Sequence, residues 1–227
     1  MERQKTKMET LLKDTIKERL LAGDYAGIIE LGRKHKGILR RLISLTYDKG
    51  ELTCWRAIEA VGLVSTGMGQ SSGLDAIDRL FVMMRDESGG NPWSAPEMIG
   101  EIIKRDPSAF SHLLPVLVSF RDEAMFASGI LYALSRLALS NPELVLPYRE
   151  VAFLSMRSGD PAVRANAILV MKNLGDDTYA SSIALLAGDE ARFFYYDGKT
   201  LSEKPVGEIA RQTMEFFAGK MDSKRSE

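Results

Sequence analysis

The chain has 227 residues, 45% of them hydrophobic and 27% charged, with a formal net charge of −1. That is enough chain to bury a sizeable core, and the balanced charge excludes a protein that is basic or acidic throughout. One cysteine, Cys54, excludes an internal disulfide and a Cys-based metal site, and no apolar run approaches the roughly 20 residues of a membrane span.

The N-terminal segment "MERQKTKMETLLKD" is too charged for a signal peptide, so a cytoplasmic protein is expected. The charge is unevenly spread. Residues 1–49 hold 12 Lys/Arg against 7 Asp/Glu, a balance of +5 that leaves −6 for the rest. Helical periodicity predicts α-helices over about 6–22, 24–35, 38–48 and 51–66. The "GRKHKGILRR" stretch concentrates Arg33, Lys34, Lys36, Arg40 and Arg41, which could meet nucleic-acid phosphates or form the solvated face of an N-terminal cap. Cys54 reads as a buried, inert thiol.

"GMGQSSG" (67–73) follows a helix and lacks the lysine of a phosphate-binding loop, so it reads as a connection. Further helices are expected over about 73–87, 94–105, 107–120, 123–139, 142–158, 161–174, 178–187 and 205–218. Asp24, Asp106, Asn141 and Asp160 stand where N-caps belong, the last three followed by Pro at the first helical position. Only "ARFFYYDGKTL" (191–201) looks like strand. Its aromatic run before Asp197-Gly198 suggests a hairpin or ordered loop, either a lid over the last helix pair or a contact surface.

An internal repeat organises these helices. "WRAIEAVG" (55–62) recurs as "WSAPEMIG" (93–100), and Phe126 and Val163 occupy the Trp slot in the next two copies, at spacings of 38, 33 and 37. That period is one helix–turn–helix unit. The pattern fades before residue 50 and after 177, as end caps should. At about 100° per residue, octet positions 1, 5 and 8 form one stripe of Trp, Glu and Gly, opposite an apolar face suited to the partner helix. Either Trp55, Glu59, Trp93 and Glu97 line a groove for a peptide or basic side chain, or the stripe is sealed between repeats, with Gly allowing close helix approach. Glu59 and Glu97 have no evident third ligand, and His35 and His112 are isolated, so no catalytic or metal role is assigned.

"GDPAVRANAILVMKNLGD" (159–176) resembles the second half of a HEAT repeat of the bacterial type also found in phycobilin-lyase-like proteins. Asp160-Pro161, Val163-Arg164, Ala167 and Leu174-Gly175-Asp176 carry the resemblance, and "PVGEIARQTMEFF" looks like a divergent final copy. Arg56 aligns with Arg164, whereas Ser94 and Ala127 depart from the pattern. The resemblance implies an all-α, right-handed α-α superhelix in which Asp160 and Arg164 join neighbouring units. The expected organisation is a single solenoid domain over 1–220, with capping helices over 1–49, repeats over 50–176, a C-terminal cap with the hairpin over 177–220, and a flexible tail over 221–227. The expected function is a non-enzymatic, bacterial, cytoplasmic scaffold that holds a protein or peptide on the solenoid's inner surface, without a cofactor. A second copy of the chain is another candidate partner. The alternatives are nucleic-acid binding through the basic N-terminal helices, and an enzyme or cofactor chaperone like the lyase-like relatives.

Overall fold

The computed structural model describes residues 2–35, 37–85 and 93–225, with side chains described between 10 and 220. Three helices begin the chain: α1 (Glu2–Ala22), α2 (Tyr25–Lys34) and α3 (Ile38–Ile43). The repeats follow with α4 (Leu52–Gly67), α5 (Gln70–Arg85), α6 (Ala95–Arg105), α7 (Pro107–Phe110), α8 (Leu114–Val118), α9 (Ala124–Ala138), α10 (Pro142–Val145), α11 (Arg149–Ser155) and α12 (Pro161–Leu174). After α13 (Ala180–Ala184) come two antiparallel strands, β1 (Arg192–Tyr196) and β2 (Leu201–Pro205), then α14 (Val206–Arg225). The result is an all-α solenoid with one small hairpin.

The second helices of the pairs, α4, α6, α9 and α12, stack side by side as its spine. They share one continuous apolar core, in which Ile58, Val61, Met98, Ile99, Ile102, Ile130, Leu134, Ile168 and Val170 are fully buried. Removing such side chains from water is the main drive for stacking, at about 1.5–3 kcal/mol for each large one.

Capping residues set several boundaries. The Asp24 carboxylate accepts from the Gly27 N–H, Asp106 from Ala109, and Asp160 from Ala162 and Val163, so each satisfies donors that a helix start leaves unpaired. The Asn141 side chain makes no such bond, contrary to its expected role. Two first helices expected as continuous, over 107–120 and 142–158, are each broken by a turn of 3₁₀-helix, at Ser111–Leu113 and Leu146–Tyr148. Pro115 and Pro147 explain both. A proline ring has no N–H to give and collides with the carbonyl one turn back, so the helix resets at each Leu-Pro. At the other end, α14 runs to Arg225, past the point at 220 where a tail was expected, because nothing after Gly219 breaks a helix.

The hairpin turns through Asp197-Gly198. Gly198 has a φ of +98°, and the Asp197 carboxylate accepts from the Lys199 and Thr200 N–H groups. A free two-stranded hairpin is marginal in water, so this one depends on what it packs against. Phe193 and Tyr196 are buried, and Tyr196 stacks on Trp55 of α4 with ring centroids 5.7 Å apart. The hairpin therefore reaches from α12, near its own place in the chain, back to α4. It covers more than the last helix pair.

Candidate functional site

The repeated glycines define the seams. A Cβ on Gly62 would stand 2.9 Å from the Glu101 carbonyl carbon and oxygen of α6, and a Cβ on Gly100 would collide with Ala133 of α9. Neighbouring second helices are thus in backbone contact where the octets place glycine. Between α9 and α12 the contact is polar. The Asn166 amide donates to the Ser128 carbonyl at 3.1 Å, and the Asn173 amide to Ser135 at 2.9 Å.

The carboxylates of the stripe lie in these seams. Glu59 is 6% exposed and Glu97 1%. Glu59 accepts from three elements at once: the Tyr25 hydroxyl of α2, the Tyr196 hydroxyl of β1 at 2.8 Å, and the Arg136 guanidinium of α9 at 2.8 Å. Arg136 also donates from Nε to Glu101 at 2.9 Å, and Lys104 pairs with Glu101 at 3.1 Å. Glu97 takes the Lys49 ammonium at 2.6 Å, while its other oxygen faces Gly129, whose absent side chain makes the room. A charge away from water is tolerable only when paired and hydrogen-bonded: Glu59 and Glu101 meet that condition through Arg136, whereas Glu97 is paired through one oxygen and its buried Oε2 has no hydrogen-bond partner among the described residues. The sequence placed Glu59 and Glu97 at equivalent positions of one stripe. The structure gives them different donors and joins Glu59 to Glu101 through Arg136.

Burial disfavours ionisation of Glu101, but Arg136 and Lys104 overcome it and hold its pKa below the ordinary 4.5. A carboxylate depressed on folding lends stability above its unfolded pKa and withdraws it as pH falls through the folded one. Urea denaturation is therefore expected to show stability falling below about pH 4.5, with a shallower fall for Glu101→Gln. Burial also pushes the Cys54 thiol up to about 12, so it is protonated and inert at neutral pH.

The two octet tryptophans differ. Trp55 is 5% exposed, its indole N–H donating to the Lys49 carbonyl at 2.9 Å, and its ring also meets Tyr132 at a centroid distance of 5.0 Å. Trp93 is 62% exposed. The helical wheel misplaces Trp93 because α6 starts at Ala95, with Pro96 in its first turn. Trp93 precedes the helix and lies off the stripe.

Of the residues expected to join units, Asp160 caps its own helix. Arg164 pairs with Asp189, just before the hairpin, at 2.7 Å and binds the carbonyls of Ser158 and Gly159. Arg56, its counterpart in the first copy, binds the Leu20 and Leu21 carbonyls at the end of α1 and Lys199 in the hairpin turn. Within the basic stretch, Lys34 pairs with Glu30, Arg41 is half-buried, Arg33 and Arg40 are exposed, and Lys36 lies outside the described residues. Among the described residues there is no His/Cys/Asp/Glu group that could hold a metal ion, and no helix long and apolar enough to cross a membrane.

Arg136, the centre of the network, was missed from sequence, although it left a signal. It is the only charged residue of α9, in an otherwise apolar or small sequence, and a lone cation on such a helix needs a buried carboxylate.

No family model matches the chain. An uncharacterised protein of Archaeoglobus fulgidus is 29% identical over 180 residues, which is 77% of this chain and 94% of that protein. A crystal structure of an archaeal HEAT-like repeats protein from Thermococcus onnurineus is similar at a TM-score of 0.38 and 18% identity, covering 90% of this chain and 79% of that one. Both proteins are archaeal, where the sequence pattern resembled a bacterial type.

Proposed function

We propose that the protein is a non-enzymatic scaffold that holds a segment of a partner protein on an aromatic rim around residues 46–50. The observation that carries this reading is the exposure of three large rings about that loop: Tyr47 at 56%, Trp93 at 62% and Phe194 at 47%. They come from three elements, and the loop ties them together. Ser94, next to Trp93, donates to the Thr46 carbonyl at 2.7 Å, and the Phe194 ring lies 3.4 Å from where a Gly50 Cβ would stand. Lys49 anchors the same loop to buried Glu97. Exposed aromatics on a rigid frame are the usual anchors of protein interfaces, because they bury much area at little ordering cost. In this reading Trp93 is a contact residue, and Trp55, Glu59 and Glu97 beneath it keep the surface rigid.

The test is capture of a partner from the native cell extract, then titration of that partner against variants. Trp93→Ala with Phe194→Ala is expected to weaken binding at least about tenfold while changing folding stability by less than about 1 kcal/mol. Undiminished binding by the double variant would remove the rim as the contact surface.

A further inference from the structure

We infer that the crevice between α3 and α5 is a binding site for a small organic anion, one with an apolar body and a carboxylate or phosphate head. The inference is independent of the aromatic rim, since none of Tyr47, Trp93 and Phe194 lines the crevice.

The crevice follows from how α5 is packed. Both α3 and α5 rest on α4, the first from the N-terminal cap and the second from the repeats. Toward the next repeat, rings seal α5. Phe81 stacks on Phe120 at a centroid distance of 6.2 Å, and the Phe110 ring takes the place of a side chain at Gly73. Toward α3 the helix presents Ser72, Asp75, Ala76 and Arg79, whose spacing of three and four residues makes one stripe. No Phe, Trp or Tyr lines that side among the described residues, and a space of about 280 Å³ is left.

The floor and the mouth of this space differ in character. Ile38 and Ile43 of α3, Val61 of α4 and Ala76 of α5 line it and are otherwise buried. Arg40 of α3 and Arg79 of α5 line it from its two walls and are exposed. Neither guanidinium makes a hydrogen bond or an ion pair among the described residues. Asp75 stands one turn before Arg79 in α5, yet no ion pair joins the two. His35 adds an imidazole N–H at the same mouth.

Size and charge select the occupant. A cavity of about 150 Å³ accepts benzene, so this one takes a molecule of roughly a dozen heavy atoms. An inorganic ion would leave the apolar floor uncovered. A cation would meet two guanidiniums against one carboxylate. An anion meets two guanidinium forks, each suited to hold a carboxylate or phosphate through parallel hydrogen bonds. Burial of the body supplies affinity, and the arginines supply the choice of sign.

Four probes that share an octyl body and differ in head group test the site on the full chain: octanoate, octyl phosphate, octanamide and octylamine. Methyl NMR follows Ile38, Ile43, Val61 and Ala76. At least one of the two anions is expected to shift these methyls saturably, at least about tenfold more tightly than octanamide or octylamine. Acetate and inorganic phosphate, heads without a body, should leave the methyls unmoved. The tighter anion assigns the head group. Arg40→Met and Arg79→Met keep an apolar stem and remove the fork, so each should weaken that anion at least about tenfold while the rest of the spectrum stays as in the parent. Octanamide or octylamine binding as tightly as the better anion, an anion indifferent to both arginine substitutions, or methyls unmoved by all four probes would each overturn the proposal.

Discussion

Replacing Arg136 by methionine is expected to cost about 3–5 kcal/mol of folding stability. The methionine fills similar space, so little of that loss is packing. What is lost is the guanidinium that bridges Glu59 and Glu101, which lie in the seams with side-chain exposures of 7% and 0%. Glu101 keeps Lys104, and Glu59 keeps two tyrosine hydroxyls, so each retains part of its shell. Combining Arg136→Met with Glu101→Gln and Glu59→Gln should recover part of the loss, because the cost lies in a Glu59 carboxylate left without a cation and a Glu101 carboxylate left with Lys104 alone. Urea denaturation of the single and triple variants decides the matter. A single variant within about 1 kcal/mol of the parent would show the network to be surface-like in strength.

The second large effect is steric and reverses the usual preference of a helix. Gly→Ala inside a helix ordinarily stabilises by up to about 1 kcal/mol. Gly100→Ala is expected to destabilise by about 1–3 kcal/mol, because the new methyl needs the space of the Ala133 Cβ and lies 2.9 Å from its Cα. Ala133→Gly in the same chain should restore part of the loss. The parallel substitution Gly62→Ala meets the Glu101 backbone, which no side-chain change can trim, so it should have no such rescue. Thermal denaturation of the two singles and the Gly100/Ala133 pair measures this. A stabilised Gly100→Ala would mean that α6 and α9 are farther apart than described.

These expectations show where sequence was informative. The helix pairs follow from apolar periodicity, the caps at Asp24, Asp106 and Asp160 from residue type before a helical run, and the hairpin from Asp197-Gly198. Each is a local signal, decided within a few residues. The breaks at Pro115 and Pro147 were equally local but were outvoted by the periodicity around them. Trp93 was misplaced because a wheel drawn through the octet assumes that the helix has already begun. The surroundings of Glu59 were illegible for a different reason. Its partners stand 34, 77 and 137 positions away, and nothing in one sequence marks two tyrosines and an arginine as neighbours. The octet showed that a carboxylate recurs at that place on the spine but not which donors would converge on it. The two copies converge differently, with Lys49 for Glu97 and a three-element hub for Glu59.

The reach of the hairpin back to α4 has a consequence for how the molecule comes apart. A repeat array held only by contacts between neighbours can fray from its ends, because losing a terminal unit leaves the rest intact. Here Tyr196 and Lys199 are bonded to Glu59 and Arg56, so the last part of the chain is fastened to the first full repeat. Peeling away either end exposes the other. The fastening also raises the contact order of a fold whose other links are short, which slows its formation and concentrates its loss into a single cooperative step.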